Sequence, residues 1–228
     1  MAMALALAER ARLICPPNPA VGCVLVDADG QVIGQGHTQA TGQAHAEVMA
    51  LRDAQARGRV TAGATAYVTL EPCAHHGRTG PCADALIAAG VRKVVASLQD
   101  PNPRVAGQGL ERLRAAGIEV EVGAGAEASR ELNVGFFSRM TRQRPWVRMK
   151  VAASLDGRIA LPNGTSQWIT SPAAREDGHA WRARACAVLT GIGTVLRDDP
   201  RLDVRLPDAT RQPMLVIADS RLRTPLEA

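Results

Sequence analysis

No apolar run in the sequence approaches the roughly 18 residues that would suggest a membrane span, and aromatic side chains make up only 3% of its 228 positions. With so few aromatics, none interleaved with basic residues, the chain lacks the stacking and phosphate-binding pattern of a nucleic-acid track. Lys and Arg number 27 against 22 Asp and Glu. That excess is spread along the chain instead of forming a basic tract, and it suits a phosphorylated small molecule as well as any larger anion. Cysteine is also sparse: Cys15, Cys23, Cys73, Cys82 and Cys186 are an odd number in a chain too large to need a disulfide scaffold. A reducing compartment, the cytoplasm, is therefore expected. The Ala- and Leu-rich start contains Glu9 and Arg10, has no basic leader before its apolar run and leads into structured-looking sequence, unlike a secretory signal. There is no internal repeat or low-complexity tract.

What is present is ordinary globular material, 46% hydrophobic and 21% charged, enough for one large core or two modest ones. A helix is expected over residues 2–12, stopped before Pro16-Pro17-Asn18-Pro19. Val21 to Val26 and Gln31 to His37 read as a hairpin about the Asp27-Ala28-Asp29-Gly30 turn. A helix from His45 through Arg57 should face the sheet with Val48, Leu51 and Ala54. Ala64 to Leu70 is a strand left at Glu71-Pro72-Cys73, where proline cannot continue a ladder. After the loop 74–80, a helix begins near Pro81 and ends at Gly90. Strand 91–97, helix 107–116 and strand 118–122 complete a three-layer α/β pattern.

A connecting helix over 125–144 and the polar Thr141-Arg142-Gln143-Arg144-Pro145 stretch mark the boundary between a domain at 1–144 and another at 145–228. The second should open with a strand from Trp146 to Ala152 and turn at Pro162-Asn163-Gly164. A helix over 172–184 and strands over 185–190 and 214–219 follow.

The chemistry-bearing constellation is His45-Ala46-Glu47, then Pro72-Cys73, then Cys82. His45, Cys73 and Cys82 supply three ligands for a zinc ion, leaving its fourth tetrahedral position open for water, whereas a structural site closes it. Zinc lowers the pKa of such a water toward neutrality. Glu47, not itself a ligand, would then move protons as acid and base, the arrangement of hydrolytic nucleobase deaminases. Cys82 at a helix start gains the positive end of the helix, which stabilises a thiolate. Two bland alternatives stand beside this one. The residues could be accidental neighbours, or His75 or His76 could close a structural zinc site and leave Glu47 without a task.

Over the first domain the chain resembles the bifunctional riboflavin-biosynthesis deaminase–reductase family. The motifs that carry the resemblance are Asn18 to Gly22, Gly34 to His37, Gly42, His45-Ala46-Glu47, Thr69 to Cys73, His75 to Cys82 and Asp100 to Pro103. The eight residues between the cysteines are specific, since other zinc deaminases commonly place two there. The resemblance implies a cytidine-deaminase-like domain that hydrolyses the 2-amino group of 2,5-diamino-6-(5-phosphoribosylamino)pyrimidin-4(3H)-one. It implies substrate contacts from Asn18, His37, His75 and Arg78, with Asp100 and Asn102 shaping the pocket. Arg78 suits phosphate because its guanidinium is a rigid multi-donor fork.

The second domain resembles part of the family's dihydrofolate-reductase-like domain through Lys150 to Ala160, Ser166 to Ser171 and Gly191 to Pro200. This implies reduction of the ribosyl group to ribityl with NADPH. Lys150, Asp156, Arg182, Asp199 and Arg205 are then substrate residues, and Ser154, Trp168, Thr170, Thr194 and Asp198 face the cofactor. Asp156-Gly157 also reads as a simple turn and Trp168 as core. Family members usually carry a longer reductase domain with later strands and a glycine-rich loop, so reduction is expected of a complete protein. Strand edges left bare would invite a homo-oligomer. Two rival functions are a nucleic-acid base deaminase, which needs an open strand-binding groove, and a non-catalytic interaction module that keeps zinc for folding.

Overall fold

Small residues decide how closely the helices of the first domain lie on its sheet. In the computed structural model, which describes residues 1–75, 80–103 and 105–227, the chain divides into two units that meet between Trp146 and Val147. The first unit runs α1 (Ala2–Ala11), β1 (Gly22–Val26), β2 (Val32–His37), α2 (Ala46–Ala56), β3 (Thr65–Val68) and α3 (Cys82–Ala88). It continues with β4 (Lys93–Ala96), α4 (Gln108–Ala115), β5 (Glu119–Val122), α5 (Ala126–Leu132) and α6 (Val134–Arg142). Its sheet has the order β2-β1-β3-β4-β5; β1 is antiparallel to both neighbours, and β3, β4 and β5 are parallel. The β1–β2 turn is tied by Asp27, whose Oδ1 accepts the amides of Asp29 at 3.1 Å and Gln31 at 2.8 Å.

Side-chain alternation along β1 divides the core into two layers. Val24 and Val26 pack against Ala4 and Leu7 of α1 on one face. On the other, Cys23 and Leu25 join Ala66, Val68, Val94 and Ala96 beneath α2, α3 and α4. The helix expected to turn Val48 and Leu51 toward the sheet instead seats Ala46, Ala50 and Ala54 there, with Val48 half-buried and Leu51 at the margin of the core. Glycines in β2 explain the difference. A Cβ on Gly36 would stand 2.5 Å from the Ala50 nitrogen and 2.7 Å from the Ala46 oxygen, so only alanine fits between helix and strand.

Two other expectations are corrected. The connecting helix over 125–144 is two helices, α5 and α6, that meet at Asn133. The strand expected from Trp146 to Ala152 does not form, and Val147 and Met149 are 76% and 84% exposed. Its apolar composition suits a strand, but a strand exists only with a partner to complete its ladder, and none of the described strands pairs with it.

The second unit holds α7 (Pro172–Arg184), β6 (Ala187–Gly191), α8 (Ile192–Asp198) and β7 (Met214–Ala218), with β6 parallel to β7. Pro172 opens α7 at its first turn, and Ser171 Oγ caps it by accepting the Ala174 amide at 3.2 Å. Leu189, Met214, Leu215 and Val216 of this two-stranded sheet remain exposed. Among the described residues no helix is long and apolar enough to cross a membrane.

Candidate metal centre and active site

Strand register gathers residues distant in sequence at one end of the first sheet. Gly22 at the start of β1 pairs with His37 at the end of β2, and its carbonyl accepts the Thr69 amide at 3.1 Å just past β3. The Ser97 amide reaches Val68 at 2.9 Å and the Glu71 amide reaches Leu98 at 2.9 Å, so the exits of β3 and β4 lie side by side. Loops at the carboxyl ends of such parallel strands are where open α/β sheets hold ligands. Asn18 precedes β1, His37 ends β2, His45 and Glu47 open α2, Cys73 and His75 follow β3, and Asp100 and Asn102 follow β4. All of them sit at this end.

His45 occupies the N-cap position of α2 with an extended backbone, and its ring makes no capping hydrogen bond. The ring instead points Nδ1 at two sulfurs, Cys73 Sγ at 3.7 Å and Cys82 Sγ at 3.3 Å. All three ligand atoms lie within 4.8 Å of one another. Nitrogen and sulfur ligands at ordinary zinc distances in a tetrahedron stand about 3.6 Å apart, so this donor set fits zinc. Thiolate and imidazole are also ligands that zinc accepts readily. Among the described residues the cluster has these three ligands and no fourth. His75 is exposed and outside it, while His76 and Arg78 lie outside the described residues.

The electrostatics of the site follow from its burial. Hydrogen bonding from Cys82 draws Cys73 down to about 4, helped by His45 and by the Cys82 amide, which donates to Cys73 Sγ at 3.4 Å. The same hydrogen bond, with burial, pushes Cys82 up. Hydrogen bonding to Cys73, together with the nearby Glu47 charge, raises His45 against the opposing effect of burial. Glu47 is only 3% exposed, and burial followed by the Cys73 charge lifts it to about 7. A carboxyl poised there can both take and return a proton near neutral pH. Asp100 is lifted to about 6, first by burial and then by the charges of Glu71 and Cys73, while the Asn102 amide, donating to Oδ1 at 2.8 Å, opposes the rise.

Asn18 is half-buried, its carbonyl accepting the Cys15 thiol at 3.3 Å. His37 Nδ1 lies 3.1 Å from the Thr38 carbonyl and 3.3 Å from Gln39 Nε2. Two buried residues given no role by the sequence motifs organise this end of the sheet. Asn133 binds both backbone groups of Ala20, accepting its amide at 2.7 Å and donating to its carbonyl at 2.9 Å. Glu71 accepts backbone amides from the segment after β4. Glu71 lay within the quoted motif; for Asn133 the sequence held no signal, because its partners are main-chain atoms.

In the second unit, Ser154 and Asp156 form one turn: Ser154 Oγ donates to Asp156 Oδ1 at 2.5 Å and accepts the Arg158 amide at 2.9 Å. Arg182 donates to the Asp203 carbonyl at 3.0 Å and Arg205 pairs with the Asp203 carboxylate, so the two arginines converge on Asp203. Trp168 is 70% exposed, not core, and lies 4.3 Å beneath the Arg175 guanidinium, which also donates to the Thr170 carbonyl at 2.6 Å. Thr194 and Asp198 are exposed on α8, Asp199 follows it with a left-handed backbone, and Lys150 is exposed. Among the described residues, no hydrogen bond or ion pair joins Lys150, Thr194 or Asp199 to the Arg182–Arg205 group.

A sheet of this order that presents a histidine, two cysteines and a buried glutamate at one end has the make-up of a zinc-binding region of the cytidine-deaminase type. Family comparison agrees: residues 1–98 match the cytidine and deoxycytidylate deaminase zinc-binding region, and residues 145–228 match the RibD C-terminal domain. The two matches fall in one order on one chain, and the chain is similar to proteins of the RibD family over the part of their length that it spans. It is 54% identical to riboflavin biosynthesis protein RibD of Escherichia coli strain K12 across 99% of this chain and 60% of that protein. It is 48% identical to the Aquifex aeolicus protein of the same name across 100% of this chain and 63% of the relative. The solved structure of Acinetobacter baumannii RibD aligns at a TM-score of 0.92 and 52% identity, covering 100% of this chain and 64% of the other. A Thermotoga maritima diaminohydroxyphosphoribosylaminopyrimidine deaminase/5-amino-6-(5-phosphoribosylamino)uracil reductase aligns at 0.92 and 43% identity, covering 97% and 62%. The chain thus spans about three fifths of the length of these relatives.

Proposed function

We propose that the 1–144 domain catalyses hydrolytic deamination in riboflavin biosynthesis, with 2,5-diamino-6-(5-phosphoribosylamino)pyrimidin-4(3H)-one as substrate. The observation that carries this is the three-ligand cluster with Glu47 buried beside it and outside it. Zinc held by His45, Cys73 and Cys82 would supply the Lewis acidity that makes water a nucleophile near neutral pH. Glu47 accepts a proton from that water and passes it to the ring nitrogen. A C–O bond forms at the carbon bearing the 2-amino group. Glu47 then takes the proton of the new hydroxyl and delivers it to the amine, the C–N bond breaks, and ammonia leaves as the carbonyl forms. Asn18, His37, His75, Asp100 and Asn102 bind and orient the substrate, and Arg78, outside the described residues, takes its phosphate.

The 145–228 domain contributes to reduction of the ribosyl group with NADPH in the longer relatives' arrangement. Arg182 and Arg205 take phosphate, Lys150, Asp156 and Asp199 hold the sugar, and Ser154, Trp168, Thr170, Thr194 and Asp198 face the cofactor. The sparse cysteines, none of them in a disulfide among the described residues, favour the cytoplasm, and the exposed β6–β7 sheet favours a homo-oligomer. The deciding experiment follows ammonia release from the diaminopyrimidine phosphate by zinc-loaded protein, with and without NADPH. Ammonia release independent of NADPH is expected. No release from fully loaded protein overturns the proposal and leaves the zinc-stabilised interaction module; release from single-stranded RNA or DNA instead would make it a nucleic-acid deaminase.

A further inference from the structure

The carboxylate of Glu71 is 4% exposed, and its hydrogen-bond partners among the described residues are all backbone amides. Oε2 accepts the amides of Asp100 and Gly107, each at 3.0 Å. Oε1 accepts those of Gly109 at 2.9 Å and Leu110 at 3.4 Å. Gly107 is the N-cap of α4, has a left-handed backbone and carries no side chain to cap the helix. The first-turn amides of Gly109 and Leu110 would otherwise lack acceptors, and Glu71 supplies them from a different strand exit. Its negative charge also sits favourably at the positive end of the helix.

The approach is tight as well as polar. A Cβ on Gly109 would stand 1.8 Å from the Pro72 oxygen, so α4 rests directly on the peptide that leads into Cys73. One side chain therefore holds three things in register: the Glu71-Pro72-Cys73 turn, the Asp100–Asn102 turn and the start of α4.

We infer that Glu71 is a positioning residue for the deaminase site, tying the substrate-side Asp100 and Asn102 to the metal ligand Cys73 through four backbone amides. It acts through those groups and does not touch the reacting atoms. The inference rests on the deaminase reading for its effect on catalysis, but its geometry can be tested separately.

The experiment uses the full chain loaded with zinc and compares the unsubstituted protein with Glu71→Gln and Glu71→Asp. Gln keeps the shape but replaces one acceptor oxygen by a donor that opposes the amides. Asp keeps the charge but is too short to serve both pairs of amides at once. Expected results are one zinc per chain, KM raised about tenfold with kcat within about threefold, and faster hydrogen exchange at Asp100, Gly107, Gly109 and Leu110, read well below the unfolding temperature. A role in stability alone would lower the melting temperature without that split. A folded E71Q protein with wild-type KM and wild-type exchange at these amides overturns the inference. If E71Q does not fold, the same two readouts on E71D decide it. Should the unsubstituted protein release no ammonia, the deaminase reading falls while the exchange result still reports on the Glu71 clamp.

Discussion

Replacing Glu47 with Gln tests the centre of the proposed chemistry, because it removes proton transfer while keeping the side chain's size. Glu47 is 3% exposed and is lifted to about 7, so near neutral pH its acid and base forms are both well populated. A glutamine amide can neither accept the proton from water nor deliver it to the leaving amine. General acid–base catalysis of this kind contributes about 10²–10⁴ in rate, or about 3–5 kcal/mol of barrier. Because Glu47 is outside the His45, Cys73 and Cys82 cluster, the variant should keep one zinc per chain. Ammonia release under saturating substrate, set beside metal content on the same preparation, reads both quantities. Loss of zinc would show that Glu47 is a ligand. A rate within tenfold of the unsubstituted protein would show that protons move by another route.

Gly36→Ala should destabilise the first unit by about 1–3 kcal/mol through overpacking, since the new Cβ meets backbone and the Met49 Cβ, both at 2.5 Å, where neither can withdraw. Gly135→Ala in α6, where a Cβ meets nothing within 4 Å, should instead stabilise by up to about 1 kcal/mol. Urea midpoints compare the two, and equal shifts would mean that α2 does not lie so close to β2. Asp100 holds its proton more tightly folded than unfolded, at about 6 against 3.8, so the folded chain binds more protons across that window and Asp100's contribution to stability falls as pH rises through it. Asp100→Asn keeps the acceptor for the Asn102 amide and should gain up to about 3 kcal/mol over the parent at pH 7.5, with a smaller gain at pH 4.5 and reduced substrate affinity. Denaturant unfolding at both pH values checks this; a gain independent of pH would refute the linkage.

Much of the first domain could be read from local signals. His45-Ala46-Glu47, Pro72-Cys73 and Cys82 were legible because each falls where a strand ends or a helix begins, and element junctions can be read from proline, glycine and periodicity. The sheet-facing side of α2 was not, because alanine there answers to Gly34 and Gly36 on another element. The tasks of Glu71 and Asn133 were silent for a related reason: the bonds that define them reach main-chain atoms 29 residues away at Asp100 and 113 away at Ala20. The stretch from Trp146 to Ala152 shows the opposite error. Its composition suits a strand, but composition carries no information about whether a neighbouring strand is present.

Asn133 has one more consequence. The match to the deaminase zinc-binding region ends at residue 98, yet the peptide beside Asn18 is gripped by a side chain at the α5–α6 junction. Ser129, one turn earlier, donates from its hydroxyl to the Thr69 carbonyl ahead of Cys73. The stretch that carries the deaminase signature is therefore shorter than the stretch that must fold to display it. Anyone grafting this site onto another scaffold would have to carry the chain at least through Asn133, since a cut at the end of the signature removes the side chain that binds both backbone groups of Ala20.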